Sequence, residues 1–203
     1  MSDRPDLDAV ILAGGRASRL DGADKPGLVV GSQSLAAAVA GAAVQAGARR
    51  VILVGPRRPG LASVAPPGGL VFTREAPPGA GPVPALRAGL SQARAPWVAV
   101  LAADLPFLRA IHLRSILDAA TEAGRGAVLA DDTGRAQWLT GCWALADLQA
   151  ALAVYPGASL GGLLGPLEPV LVRCPPAAGE PPPWLDCDTQ AELAAARAWT
   201  GIR

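Results

Sequence analysis

Histidine, aromatic side chains and cysteine are scarce in this sequence, and each shortage removes a class of chemistry. The single histidine, His112, has no serine or cysteine nucleophile beside it, which argues against a Ser-His-Asp or Cys-His mechanism and against a histidine-based metal site. No two of the three cysteines, Cys142, Cys174 and Cys187, have two residues between them, so neither a zinc knuckle nor a CxxC redox motif can be read. An odd count without a framework suits reduced thiols in a cytoplasm. No basic run or stripe is present and the formal net charge is only +1, so nothing points to nucleic acid or a membrane surface as a partner. Arg49-Arg50 and Arg57-Arg58 are isolated pairs and read as solvated surface. No long hydrophobic run exists either: the Ala-rich stretch 35–48 is broken by Gly41, Gln45 and Gly47 and is too short to span a bilayer. The polar start, MSDRPDLD, does not read as a signal peptide. These absences predict a soluble cytoplasmic protein with no membrane association.

What is abundant is aliphatic. Hydrophobic residues make up 51% of the chain and aromatic ones 4%, with Ala, Leu and Val in the majority, a composition suited to helices packed on a parallel sheet. The 203 residues predict one domain, 1–203, able to bury roughly 70% of its unfolded surface without disulfides or metal. Continuous apolar, β-branched runs at 8–13, 50–54, 69–73, 97–102, 126–130, 137–143 and 168–172 read as buried strands. Helical patterns lie between or after them at 34–46, 82–93, 108–123, 144–154 and 189–199, with Ser34 a candidate N-cap and Gly47 and Gly124 candidate stops. The alternation predicts an α/β fold: a three-layer α/β/α sandwich with a mostly parallel, Rossmann-like sheet. The Pro-rich stretch 175–183 reads as an extended surface loop, since only one helix follows it.

The first run opens directly into LAGGRASRLDGADK, residues 12–25. Gly14 and Gly15 let the backbone turn sharply and bring its N–H groups close to a ligand. Arg16, Arg19 and Lys25 add three cations to the same loop, a fit for the about four negative charges of a triphosphate. The spacing is neither GxxxxGK[ST] nor GxGxxG, so a Walker loop and a dinucleotide site are both unsupported.

This loop resembles the signature of the Rossmann-like nucleotidyltransferases, and most of all that of the molybdenum cofactor guanylyltransferases, the MobA-like proteins. The two-glycine form, LAGG, is closer to the guanylyl enzymes than to cytidylyl ones. The resemblance implies that Leu12, Ala13, Gly14, Gly15 and Arg16 wrap the nucleotide, with Arg19 and Lys25 neutralising its phosphates. Asp21 stands where the family has glycine, so its carboxylate is expected to point away from the triphosphate. Residues 75–86 (EAPPGAGPVPAL) resemble the base-reading segment, with Gly81 and Pro82 matching and Ala76 replacing the family's aspartate.

Asp104 follows the apolar run 97–102, where ligands of open α/β sheets bind, and a hard carboxylate oxygen there suits Mg²⁺. The alternative is an aspartate that caps the turn before Leu105-Pro106; the segment DLPFL resembles the family's metal segment. In LDCDTQAEL, Asp186 and Asp188 would point to opposite faces if extended. Asp188 either caps the last helix or, as the resemblance implies, contacts the metal. Trp138 and Trp143 are either core or a stacking surface for an acceptor pterin. The reaction implied is transfer of GMP from GTP to the phosphate of molybdopterin with release of pyrophosphate, catalysed by Arg19, Lys25 and Asp104 with Mg²⁺. A cytidylyl or sugar-phosphate transferase, or a catalytically degenerate nucleotide-binding regulator, are the rivals.

Overall fold

Strand β1 (Leu7–Leu12) is buried at every position, as expected of a central parallel strand covered on both faces. The computed structural model describes residues 5–14, 25–58, 60–187 and 189–200. After β1 come a two-residue hairpin, β2 (Val29–Val30) and β3 (Gln33–Ser34), then α1 (Leu35–Ala46) and β4 (Ala48–Val54). Next are β5 (Leu70–Thr73), α2 (Pro82–Leu90), β6 (Trp97–Ala102), α3 (Ala110–Ala123) and β7 (Ala127–Ala130). The chain continues through β8 (Ala136–Ala144), α4 (Leu145–Val154), α5 (Leu160–Leu164), β9 (Val170–Arg173) and α6 (Gln190–Thr200).

Seven strands form one sheet in the order β5-β4-β1-β6-β8-β7-β9. All pairings are parallel except those of β8, which runs antiparallel to both β6 and β7. The period-two alternation of the strands sorts their side chains between two cores. Ala9, Ile11, Val51, Leu53, Ala99 and Leu101 meet α1 and α3 on one face. Val10, Ile52, Val54, Val98 and Val100 meet α2, α4 and α5 on the other. The three-layer α/β fold is therefore the one expected, with one reversed strand that periodicity does not encode.

The helices start and stop where local chemistry dictates. Ser34 Oγ accepts the Ala37 N–H at 3.2 Å, and Gly47 ends α1 in a left-handed conformation. Helix α3 buries Leu113, Ile116, Leu117 and Ala120, the spacing of one helical face. It begins at Ala110 rather than at 108, because residues 105–108 close a turn through Leu108 N–H to the Leu105 carbonyl at 3.3 Å. His112 Nδ1 accepts the Arg109 N–H at 3.1 Å, and burial together with the Arg109 charge lowers the pKa of its imidazole. The histidine is thus a helix cap.

One charged side chain is buried inside the apolar first strand. Asp8 is 1% exposed and accepts the N–H groups of Arg94 and Ala95 at 2.7 and 3.0 Å. It ties the α2–β6 connection to β1 and so helps fix β6, the strand that leads to Asp104. A third cluster, Val30, Leu35, Phe107, Cys187, Leu193 and Ala196, packs the C-terminal segment and α6 against the turn after β6. Trp199 meets Phe107 edge to face, with ring centroids 5.6 Å apart. Among the described residues no helix is long and apolar enough to cross a membrane.

Candidate functional site

The six parallel strands end at one edge of the sheet, and antiparallel β8 begins there. Ligands of open α/β sheets bind at that edge. The chain leaves β1 through Ala13, whose N–H donates to the Val54 carbonyl at 2.9 Å, while the Leu12 carbonyl accepts from Ala103 N–H at 3.2 Å. Leu12 and Ala13 are buried, so only their backbone can face a ligand; Gly14 is exposed. Gly15, Arg16, Arg19 and Asp21 lie outside the described residues. Lys25 opens a single 3-10 turn, Lys25–Gly27.

Two charged side chains from neighbouring strand ends reach the start of this loop. Arg58, beyond the end of β4, is 8% exposed and donates from Nη2 to the Ala13 carbonyl at 3.1 Å. Burial lowers its pKa. This corrects the reading of Arg57-Arg58 as solvated surface: adjacent arginines carry no burial signal in sequence, yet one of them is turned inward. Arg57 instead lies over the Phe72 ring, 5.0 Å from its centroid. Between strand and arginine, Gly55 has φ +148°, and a Cβ there would sit 3.0 Å from both the carbon and the oxygen of the Ala13 carbonyl. Glu75, beyond β5, is also 8% exposed; its Oε1 accepts the Gly79 N–H at 2.8 Å. A Cβ on Gly14 would lie 3.5 Å from that oxygen. Glu75 therefore secures the turn into α2 and stands next to the loop. Gly81 caps α2 and Pro82 is its first residue, at the same edge, because α2 packs on β1 and β4 after a short return from β5.

Asp104 lies two residues past β6, half-buried, directly after the residue that bonds to Leu12. The structure thus brings Asp104 and the loop start together. On the C-terminal side, Thr189 Oγ1 accepts the Glu192 N–H at 3.2 Å while Glu192 Oε2 accepts the Thr189 N–H at 2.7 Å. This reciprocal pair caps α6. Asp188 itself is outside the described residues; its neighbour Cys187 is buried in the same cluster as Phe107. Among the described residues no three His, Cys, Asp or Glu side chains gather into a metal cage. A divalent ion that takes one or two carboxylates and completes its shell with phosphate oxygens and water needs no such cage, and Asp104 is a donor of that kind.

Beyond β6 the edge continues through the β7–β8 turn. Asp131 accepts from the Thr133 hydroxyl at 2.6 Å, from Thr133 N–H and Arg135 N–H at 3.0 Å each, and from Gln137 Nε2 at 2.9 Å. The Thr133 hydroxyl leads these in holding its carboxyl below the usual range. Trp143 is 1% exposed and fills space over Gly126 and Gly141, so it is core. Trp138 is half-buried at the start of β8, beside Gly161 and Gly165.

Residues 9–170 match the MobA-like NTP transferase domain, most of the chain. The chain belongs to that family. No curated protein matches the sequence. Solved structures share the fold at low identity. A nucleotidyl transferase from Methanothermobacter superposes with a TM-score of 0.74 at 18% identity, over 97% of this chain and 98% of that one. A 2-C-methyl-D-erythritol 4-phosphate cytidylyltransferase from Thermus thermophilus gives 0.66 at 21% identity, over 97% and 99%. A UDP-glucose pyrophosphorylase from Acinetobacter gives 0.74 at 14% identity, over 97% and 94%. The MobA-like chain is thus a nucleotidyltransferase by family, the class the loop motif implies.

Proposed function

We propose that this protein transfers GMP from GTP to the phosphate of molybdopterin, or of its molybdenum-loaded form, and releases pyrophosphate. The observation that carries the reading is the meeting of the loop start with Asp104, through the Ala103–Leu12 hydrogen bond of 3.2 Å, at the edge where six strands end. The guanine and molybdopterin parts rest on the resemblance of the LAGG loop to guanylyltransferases. In this reading a phosphate oxygen of the acceptor forms a bond to the α-phosphorus as the bond from that phosphorus to the β-phosphate oxygen breaks. The attacking oxygen is already an anion, so no general base is needed, and the protein's task is to position and neutralise. The backbone of Leu12, Ala13, Gly14 and Gly15 cradles the nucleotide, Arg16 adds charge, and Gly81 and Pro82 border the base. Arg19 and Lys25 stabilise charge on the α- and β-phosphates. Mg²⁺, held by Asp104 with Asp188 as a second carboxylate, would polarise the phosphate oxygens. Pro82 at the first turn of α2 removes one N–H from a helix end facing the nucleotide, leaving the contacts there to backbone and shape.

The test combines the purified protein with Mg²⁺, molybdopterin and each of the four ribonucleoside triphosphates in turn, and identifies the product by mass. The guanine dinucleotide, formed from GTP alone, is expected. A cytosine dinucleotide formed from CTP alone would transfer the assignment to a cytidylyltransferase. Nucleotide binding without product on molybdopterin or on sugar phosphates would leave a regulatory nucleotide binder.

A further inference from the structure

The hydrogen bonds around Ala13 determine which way the next peptide faces. In an extended strand the N–H and C=O of one residue point to one neighbouring strand and those of the next residue to the other. The Leu12 carbonyl points to β6, where it accepts from Ala103. The Ala13 N–H points to β4, where it donates to Val54. The Ala13 carbonyl also points to the β4 side, where it accepts from Arg58 Nη2 at 3.1 Å. A trans peptide is planar, with its N–H directed opposite to its C=O. The Gly14 N–H must therefore face away from Arg58, toward the β6 side and Asp104. Among the described residues no acceptor takes that N–H.

Two features make Arg58 more than a packing residue. Ala13 is past the last ladder position of β1, Leu12 with Val54, so its C=O lies beyond the ladder of strand N–H donors. The planar guanidinium supplies a donor there. Gly55 backs the same peptide with no side chain, since a Cβ there would approach Ala13 to 3.0 Å and Gly14 N to 3.3 Å. Burying a guanidinium is costly unless it is hydrogen-bonded, and here one of its bonds goes to the first peptide of the loop.

We propose that Arg58 is a positioning residue of the nucleotide site: it holds the Ala13–Gly14 peptide so that the Gly14 N–H points at the phosphate position beside Asp104. This rests on the nucleotidyltransferase reading for its ligand. Arg58 donates to protein and not to substrate. Its loss frees the peptide to rotate and removes one preorganised donor.

The experiment uses Arg58→Ala and Arg58→Lys, with amide spectra of ¹⁵N-labelled protein and steady-state rates. In wild-type protein, Mg²⁺–GTP is expected to shift the Gly14 amide resonance. In Arg58→Ala that shift disappears, and kcat falls by up to about a hundred- to a thousandfold, the scale for losing one preorganised donor, with a smaller change in KM. Millimolar guanidinium restores both in part, and Arg58→Lys is intermediate. Wild-type kcat in Arg58→Ala contradicts the proposal. So does a loss that guanidinium leaves unchanged while the amide spectrum stays dispersed. Should Arg58→Ala fail to fold, Arg58→Lys decides: an unaltered Gly14 response and unaltered kcat there refute the role of the planar fork. Absence of product from wild-type protein with every triphosphate counts against the nucleotidyl-transfer reading alone, because the Gly14 shift on nucleotide binding still tests Arg58.

Discussion

In the proposed reaction Lys25 and Asp104 would act on the same phosphates with opposite charge, one directly and one through a cation, and Asp104 belongs to none of the buried apolar clusters. Lys25→Ala and Asp104→Ala are each expected to lower pyrophosphate release by at least about a hundredfold, the scale of removing one electrostatic stabiliser, with thermal unfolding within a few degrees of wild type. A fully active Asp104→Ala enzyme would remove Asp104 from the metal assignment. The position of Asp104 just past a strand end was legible because it follows a continuous apolar run, which marks a buried strand. Arg58 was not, because burial depends on which way the chain turns after Gly55, and nothing in RRPG specifies it. Thr189 lies between these cases. Thr189 and Glu192 form the Thr-x-x-Glu pattern of a capping box, a signal for Thr189 as a cap that was missed when Asp188 was considered in its place. Asp8 shows the converse: a carboxylate inside an apolar run is tolerated because two backbone donors from the α2–β6 connection meet it.

At the scale of elements, strands and long helices were legible to within a few residues, because unbroken β-branched runs and helical spacing are local properties. The direction of β8 was not, since its apolar pattern is the same read either way and only its partners β6 and β7 decide it. Helix α5 was missed for a local reason: LGGLL has two glycines, poor helix formers, and is held by the Ser159 cap and by burial of Leu160, Leu163 and Leu164. Helix α2, which carries Gly81 and Pro82 to the site, reaches the sheet through Gly89. A Cβ there would lie 2.4 Å from Val10 Cγ1 and 2.9 Å from Val54 Cγ2. Both neighbours are β-branched and have little rotamer freedom to yield. Gly89→Ala is therefore expected to destabilise the fold by about 1–3 kcal/mol, as overpacking does, despite alanine's better helix propensity. The check is the urea midpoint: a drop at unchanged slope is predicted, and a midpoint at or above wild type would show that α2 shifts freely.

The whole molecule places its chemistry at one edge because six of seven strands end there. Along that edge run, in spatial order, the Glu75 turn, Arg58 and Gly55, the loop start, Asp104, and the turn of Asp131. In the proposed reading the nucleotide would lie along β5, β4 and β1, leaving the side of β8 and β7 for the acceptor, with Asp104 between them. The layered α/β architecture was readable from the alternation of runs. The choice of base and acceptor was not, since the fold is shared with transferases of different nucleotides and the phosphates that the loop is proposed to bind are common to all triphosphates. Nucleotidyl transfer, as proposed, makes pyrophosphate the leaving group. Phosphorus NMR of the protein with Mg²⁺, GTP and molybdopterin tests it directly. Pyrophosphate is expected to appear in equal amount with a new diphosphate-bridged product. Recovery of GTP intact, or its conversion to GDP and orthophosphate, would contradict it.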